Sequence, residues 1–147
     1  MLVKFTATQI GKAWDTIKFT LEQALPPFTF GDPERYNNIY QELLTDKMQC
    51  WVGQLPQANA PPVVYGIVTT TVSEDACSGV KNLLIYSLYG FQQIPQELWL
   101  ASYETLRKYA LSKGCHRIVG YSNSNAILEV VDRFGADSKY HFISIEI

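Results

Sequence analysis

The turn at residues 92–98, Gln-Gln-Ile-Pro-Gln-Glu-Leu, joins an apolar strand-like run to a helix-like one. Proteins often hold phosphate at such a turn, because helix-start N–H groups point at the anion and glycines let the backbone approach it. This turn has no glycine, Pro95 removes an N–H donor, and Glu97 places negative charge where a phosphate would sit. The nearby groups able to do chemistry are hydroxyls: Tyr86, Ser87 and Tyr89 in the preceding run, and Tyr121 and Ser122 in a later one. A tyrosine, with a pKa of about 10, is a poor base at neutral pH unless strongly shifted. Cys50, Cys77 and Cys115 are odd in number, far apart and without a C-x-x-C, which disfavours a disulfide framework or a zinc site. His116 and His141 belong to strand-like runs, and Glu74 and Asp75 to a polar loop. There is no G-x-S-x-G elbow and no metal-ligand spacing.

These residues depend on the elements that carry them. Residues 2–6 read as a short strand. Ile10, Trp14, Ile17, Leu21 and Leu25 then form one face of a helix, with Thr8 as its N-cap and Pro26-Pro27 as its stop. Asp32-Pro33-Glu34 starts a second helix, whose apolar face is Tyr36, Ile39, Tyr40, Leu43 and Leu44. Three strand-like runs follow, at 48–55, 63–72 and 82–91. The loops between them, 56–62 and 73–81, are short enough for an antiparallel meander. Pro95 opens a helix with Trp99, Tyr103, Leu106 and Ala110 on one stripe, closed at Gly114. A strand at 117–121 leads to a helix capped by Ser124, carrying Ile127, Leu128, Val131 and Phe134 and closed by Gly135. Residues 140–147 alternate as a last strand. Trp99, Leu106, Ile127 and Val131 are expected to face the sheet. The order β-α-α-β-β-β-α-β-α-β implies an α+β fold with a mixed, mostly antiparallel sheet and helices on both faces, in one domain spanning 1–147.

Composition excludes whole classes of function. With 47% hydrophobic and 18% charged residues, the 147-residue chain can bury a full core. A net charge of −2 gives no electrostatic footprint for nucleic acid, and Arg107, Lys108, Lys113 and Arg117 cluster where a helix C-terminus favours cations. No apolar run could span a membrane and no signal-peptide pattern is present, so a cytoplasmic product is expected.

The element order resembles the GNAT superfamily of acyl-CoA N-acyltransferases. The segment from Leu106 through Gly114-Cys115-His116-Arg117-Ile118 is similar to that family's third helix and fifth strand. Tyr121-Ser-Asn-Ser-Asn-Ala is similar to the start of its fourth helix, and Phe134-Gly135 with Tyr140-His-Phe-Ile to its closing helix and strand. The family's acyl-CoA loop carries small residues where this chain has Pro95 and Glu97, or, one register on, Gln96 and Leu98. Many members place a thiolate-protonating tyrosine one turn before the closing glycine; here that position is Val131.

The resemblance with its eroded loop implies a non-catalytic structural or assembly protein, similar to degenerate GNAT-like proteins of tailed bacteriophage virion modules. Such a protein would use no cofactor, act through protein partners or as a homo-oligomer, and enter a virion. Its contact elements would be loops 56–62 and 73–81 and the N-terminal helices, with Tyr36 and Tyr40 as anchors. The alternative is an acetyl-CoA-dependent N-acetyltransferase with an atypical loop, the cofactor lying along strand backbone and bordered by Tyr89, Phe91, Gln92 and Gln93. A third reading is a small-molecule binder using the cleft between the fourth and fifth strands.

Overall fold

Chain order becomes sheet order. In the computed structural model, which describes residues 1–29 and 32–147, five strands lie side by side as β1-β2-β3-β4-β5. They are β1 (Leu2–Lys4), β2 (Met48–Gln57), β3 (Ala60–Glu74), β4 (Lys81–Gly90) and β5 (Cys115–Gly120). The first three pairings are antiparallel, and β4 pairs with β5 in parallel. The parallel pair needs a crossover, and α4 (Gln96–Ser112) supplies it. The α+β fold and its mixed sheet are therefore as the sequence indicates.

Helices cover both faces. On one, α1 (Ala7–Lys12), α2 (Trp14–Gln23) and α3 (Tyr36–Leu44) bury Ile10, Ile17, Leu21, Tyr36 and Leu43 against Cys50, Val52 and Ile67. On the other, α4 presents Leu106 and Ala110 to Leu2, Trp51, Leu83 and Cys115. A buried polar chain ties β2 to β3 and to the turn that precedes β2. The Trp51 indole N–H donates to Thr70 Oγ1 at 2.9 Å, the Thr70 hydroxyl donates to Gln49 Oε1 at 2.9 Å, and Gln49 Nε2 donates to the Asp46 carbonyl at 2.8 Å. Lys4 Nζ meets the Asp46 carboxylate at 2.7 Å, which fixes β1 to the turn before β2.

Several local expectations are corrected. The first helix is capped by Thr6, not Thr8: Thr6 Oγ1 accepts from Gln9 N while Gln9 Oε1 accepts from Thr6 N, a reciprocal box. It also breaks into two at Ala13, two residues after Gly11, a weak helix former. Asp32 does cap a start, but of a 3₁₀ turn, Pro33–Arg35, that leads into α3. Residues 56–62 are not a loop: β2 and β3 continue as a ribbon to Gln57 and Ala60, with Asn59 in the left-handed region at φ 56°. Pro56 falls at a register shift, so its missing N–H costs no ladder bond.

The far end of the chain departs furthest. Helix α5 (Asn125–Arg133) is capped by Ser124 and closed at Gly135 as expected, yet it buries none of its residues. Of the four side chains expected on the sheet, Leu106 is buried, whereas Trp99, Ile127 and Val131 are half-buried. Leu98, 2% exposed, fills the core position one residue before Trp99. Residues 140–147 form no strand, because the alternating pattern meets no partner strand.

Leu106→Ala is expected to cost about 2–5 kcal/mol, because its site is packed by both β-strands and helix and cannot collapse freely; a chemical-denaturation midpoint read against the parent checks it. Burial pushes the Cys50 thiol up to about 12 and, with the Asp46 charge and Cys115 as lesser causes, the Tyr109 phenol up to about 12. Both folded-state values lie above the ordinary ones, 9.0 and 10.0. The stabilisation is thus complete below those ordinary values and is lost as pH rises from there toward 12. Urea midpoints should fall across that window, and fall less steeply in Cys50→Ala.

Candidate functional site

β4 and β5 run together and then part. They pair from Lys81↔Cys115 to Ile85↔Gly120, where β5 ends, while β4 continues to Gly90. Residues 86–90 therefore keep β3 on one side and no strand on the other. Because the two strands are parallel, their carboxyl ends open on the same side, the usual position for a ligand crevice in such sheets.

A bulge marks the parting. Thr69 pairs with Ser87 and Thr70 with Ile85, leaving Tyr86 as the extra residue. Bulges of this kind re-aim side chains and cluster beside active sites. The Thr69 and Ser87 hydroxyls hydrogen-bond to each other at 2.5 Å and fix the register just past it. Tyr86 packs on the α1–α3 side of the sheet, against the cluster that includes Tyr36. Burial, then the charge of Glu22, then Tyr86, raise the Tyr36 phenol above its ordinary pKa, so its hydroxyl stays protonated at neutral pH. Lys18, one turn before Glu22 on α2, sets its ammonium 5.9 Å from the Tyr36 ring centroid.

Aromatic rings border the opening. Tyr89 meets Phe19 edge-on at 5.6 Å and Phe91 at 5.4 Å. Tyr121, which follows the last residue of β5, meets Phe28 at 5.4 Å and Phe142 at 5.3 Å. Phe19 and Phe28 come from α2 and the segment after it, so the helical layer contributes to both borders.

The sequence-predicted site residues come together only in part. Tyr89 lies at the carboxyl end of β4 and Phe91 directly after it, with its N–H bonded to the Tyr65 carbonyl at 2.9 Å. Gln92 turns back toward β3, its Nε2 donating to the Val64 carbonyl at 3.4 Å, while Gln93 is exposed. Pro95 is the N-cap of α4 and provides no side-chain cap; its carbonyl accepts from Leu98 N and Trp99 N. Among the described residues the N–H groups of Gln96 and Glu97 have no partner, yet Glu97 lies in that first turn. The arrangement fits an extended arm lying along β4 and does not fit a pyrophosphate cradle.

Val131 stands on α5, as expected, with no titratable group. Tyr36, read from sequence as a partner anchor, is buried in the core, and Tyr40 lies half-buried against Trp14 with ring centroids 4.5 Å apart. The relations that sequence reasoning missed are Tyr36 as a neighbour of Tyr86 and Glu22 as a charge near Tyr36. The only trace in the sequence is the Lys18–Glu22 spacing of four, which puts both on one side of α2.

Among the described residues no cluster of His, Cys, Asp or Glu is arranged to hold a metal ion, and no helix is long and apolar enough to cross a membrane. No protein-family model and no curated protein matches the sequence. Solved structures do match. A predicted acetyltransferase from Clostridium acetobutylicum, solved with acetyl-CoA, superposes with a TM-score of 0.69 at 12% identity, over 99% of this chain and 95% of that one. An aminoglycoside acetyltransferase from an uncultured soil metagenomic sample gives 0.68 at 14% identity, over 100% and 97%. The ribosomal-protein-alanine N-acetyltransferase of Brucella melitensis biovar Abortus 2308 gives 0.66 at 9% identity, over 100% and 99%. The fold of this chain is that of the GNAT acetyltransferases.

The end of β4 is held by a close approach that can be tested. A β-carbon on Gly66 would lie 2.7 Å from the Tyr89 carbonyl oxygen, a backbone atom with no freedom to yield. Gly66→Ala should push β4 outward where it borders the opening, at a cost of about 1–3 kcal/mol; an unchanged denaturation midpoint would mean that the strands are not in tight contact there.

Proposed function

We propose that this chain is an N-acyltransferase that takes its acyl group from acetyl-CoA and holds the donor chiefly along β4. The observation carrying this reading is the free stretch of β4 at residues 86–90, beyond the last β5 pairing, beginning at the Tyr86 bulge. Its backbone N–H and C=O groups on the open side can pair with the amides of an extended arm, as an added strand would. The fold likeness to acetyltransferases supports the same reading.

The donor supplies an activated acyl thioester. Around it, Tyr89 and Phe91 would border the arm, with Gln92 and Gln93 at its outer end and the N–H groups of Gln96 and Glu97 as the remaining donors. Glu22 is the carboxylate set near Tyr36, and Tyr36 lies near Tyr86. Glu22 can accept a proton from an incoming ammonium, directly or through one water, leaving the amine free to attack. Tyr36, kept protonated by burial and by Glu22, can donate a hydrogen bond and is not a base.

A second reading is favoured by one specific feature: the turn at 92–98 has Pro95 and Glu97 in place of glycines, and Val131 replaces a proton-donating tyrosine. On that reading the chain is a non-catalytic structural or assembly protein acting through protein partners, with incorporation in a virion as its most specific form.

Thiol release from acetyl-CoA across a panel of amines, including an aminoglycoside and peptide N-termini, tests the first reading. Turnover with at least one amine is expected, and Glu22→Gln should lower kcat by about 10²–10⁴-fold while leaving calorimetric affinity for acetyl-CoA unchanged. No release with any amine, together with no heat of binding up to about 1 mM acetyl-CoA, would replace it with the second.

A further inference from the structure

The opening at the end of β4 is bordered by rings that stay half in water. Among the described residues the exposed phenylalanines are Phe19, Phe28, Phe91 and Phe142, each between 41% and 49% exposed. All four belong to the two ring groups at this opening, one centred on Tyr89 and the other on Tyr121. In the second group Phe28, Tyr121 and Phe142 each touch the other two, yet Tyr121 is also exposed. A single exposed apolar side chain is ordinary, whereas a contiguous set marks a surface that binds something.

The strand register sets the gap between the groups. Ile85 pairs with Gly120, and Tyr121 is the next residue on. On β3 the partners of Ile85 and Tyr89 are Thr70 and Ile67, so Tyr89 stands two residues further along the sheet than Tyr121. That offset is roughly 7 Å along the strands and, with roughly 5 Å between neighbours, roughly 8 Å in all. One flat apolar group can touch both sides, since rings in contact have centroids about 4.5–7 Å apart. The framing segments are also without charge: residues 24–29, 86–96 and 119–128 contain no Asp, Glu, Lys, Arg or His. Glu22 supplies one carboxylate, and Lys18 is on the same side of α2. One acid suits one ammonium, whereas a polyamine would lack partners for its other charges and would be repelled by Lys18.

We infer, on the basis of the acyl-transfer reading, that the acceptor is a primary amine with a single positive charge on an aryl-alkyl body, its ring held between the Tyr89 and Tyr121 groups. Glu22 takes one proton from the ammonium. The nitrogen then bonds to the thioester carbonyl carbon, and the carbon–sulfur bond breaks. A second proton leaves the nitrogen and ends on the sulfur, giving an N-acetyl amine and a free thiol. Phe19 and Phe28 meet the body of the amine and not its nitrogen, so they select the acceptor and take no part in proton transfer.

Initial rates with acetyl-CoA and phenethylamine, ethylamine or an aminoglycoside test this. On the full, unaltered chain kcat/KM for phenethylamine should exceed that for ethylamine by at least about tenfold, and should exceed that for the aminoglycoside. Phe28→Ala, with unchanged circular dichroism, should raise KM for phenethylamine about tenfold with kcat retained, and should raise KM for ethylamine far less. Saturation-transfer NMR on the unaltered chain needs no variant to fold: the phenethylamine ring protons should take up more saturation than its methylenes. Turnover led by ethylamine or by the aminoglycoside would overturn this inference and leave acyl transfer standing. Equal KM changes for both amines in Phe28→Ala, or equal saturation of ring and methylenes, would do the same. Absence of turnover with every amine would overturn the acyl-transfer reading and this inference with it.

Discussion

β4 has two strand neighbours for its first half and one for its second, and the rest of the molecule is arranged around that change. The bulge at Tyr86 comes where β5 stops, and the Thr69–Ser87 hydroxyl pair pins the strand just beyond it. A strand that loses a neighbour must satisfy its backbone some other way, with water or with a ligand. The helical layer does not close the gap; it frames it, with Phe19 on Tyr89 and Phe28 on Tyr121. The opening therefore follows from β5 being six residues long while β4 is ten.

Two parts of this opening have opposed chemistry. Along β4 the open backbone suits an extended, amide-bearing arm. At the start of α4 the same path runs into Pro95 and Glu97, which subtract a donor and add a negative charge where helix dipole and free N–H groups would otherwise attract an anion. A donor held here would owe its binding to strand pairing and aromatic contact more than to its phosphates, and so would be less sensitive to salt than one held by charge.

The main architecture was legible in the sequence because its signals are local. The Ile10–Ile17–Leu21 spacing, the Asp32-Pro33-Glu34 start, Ser124 as a cap, and Gly114 and Gly135 as left-handed stops each fix an element through its own neighbours. The errors have equally definite causes. Thr6 and Thr8 are both acceptable caps, and only the Gln9 side chain selects Thr6. Prolines at 56, 61 and 62 resemble a loop, but at a ribbon's free edges and bulge they interrupt no needed bond. Leu98 and Trp99 differ by one position on the helix, and the tighter core site took the smaller side chain. For the site, the sequence shows what the α4 turn lacks. It cannot show the parting of β4 and β5 or bring Glu22 near Tyr36, because those depend on contacts between elements distant in the chain. Residues 140–147 fail for the converse reason: alternation indicates that a strand can form and says nothing about which edge receives it.

The β2–β3 ribbon has a consequence for how the protein behaves in a crowded solution. Its outer reaches carry Pro56, Pro61 and Pro62, and Gln57 Nε2 binds the Pro61 carbonyl at 2.8 Å. Proline on an exposed strand refuses the next strand's carbonyl, so this projecting arm resists the stacking that seeds insoluble fibres. Its two-residue tip, turning through Asn59 at positive φ, makes a natural place to insert an epitope or a fluorescent label. The projecting half of the meander is thus guarded against self-stacking and open to engineering.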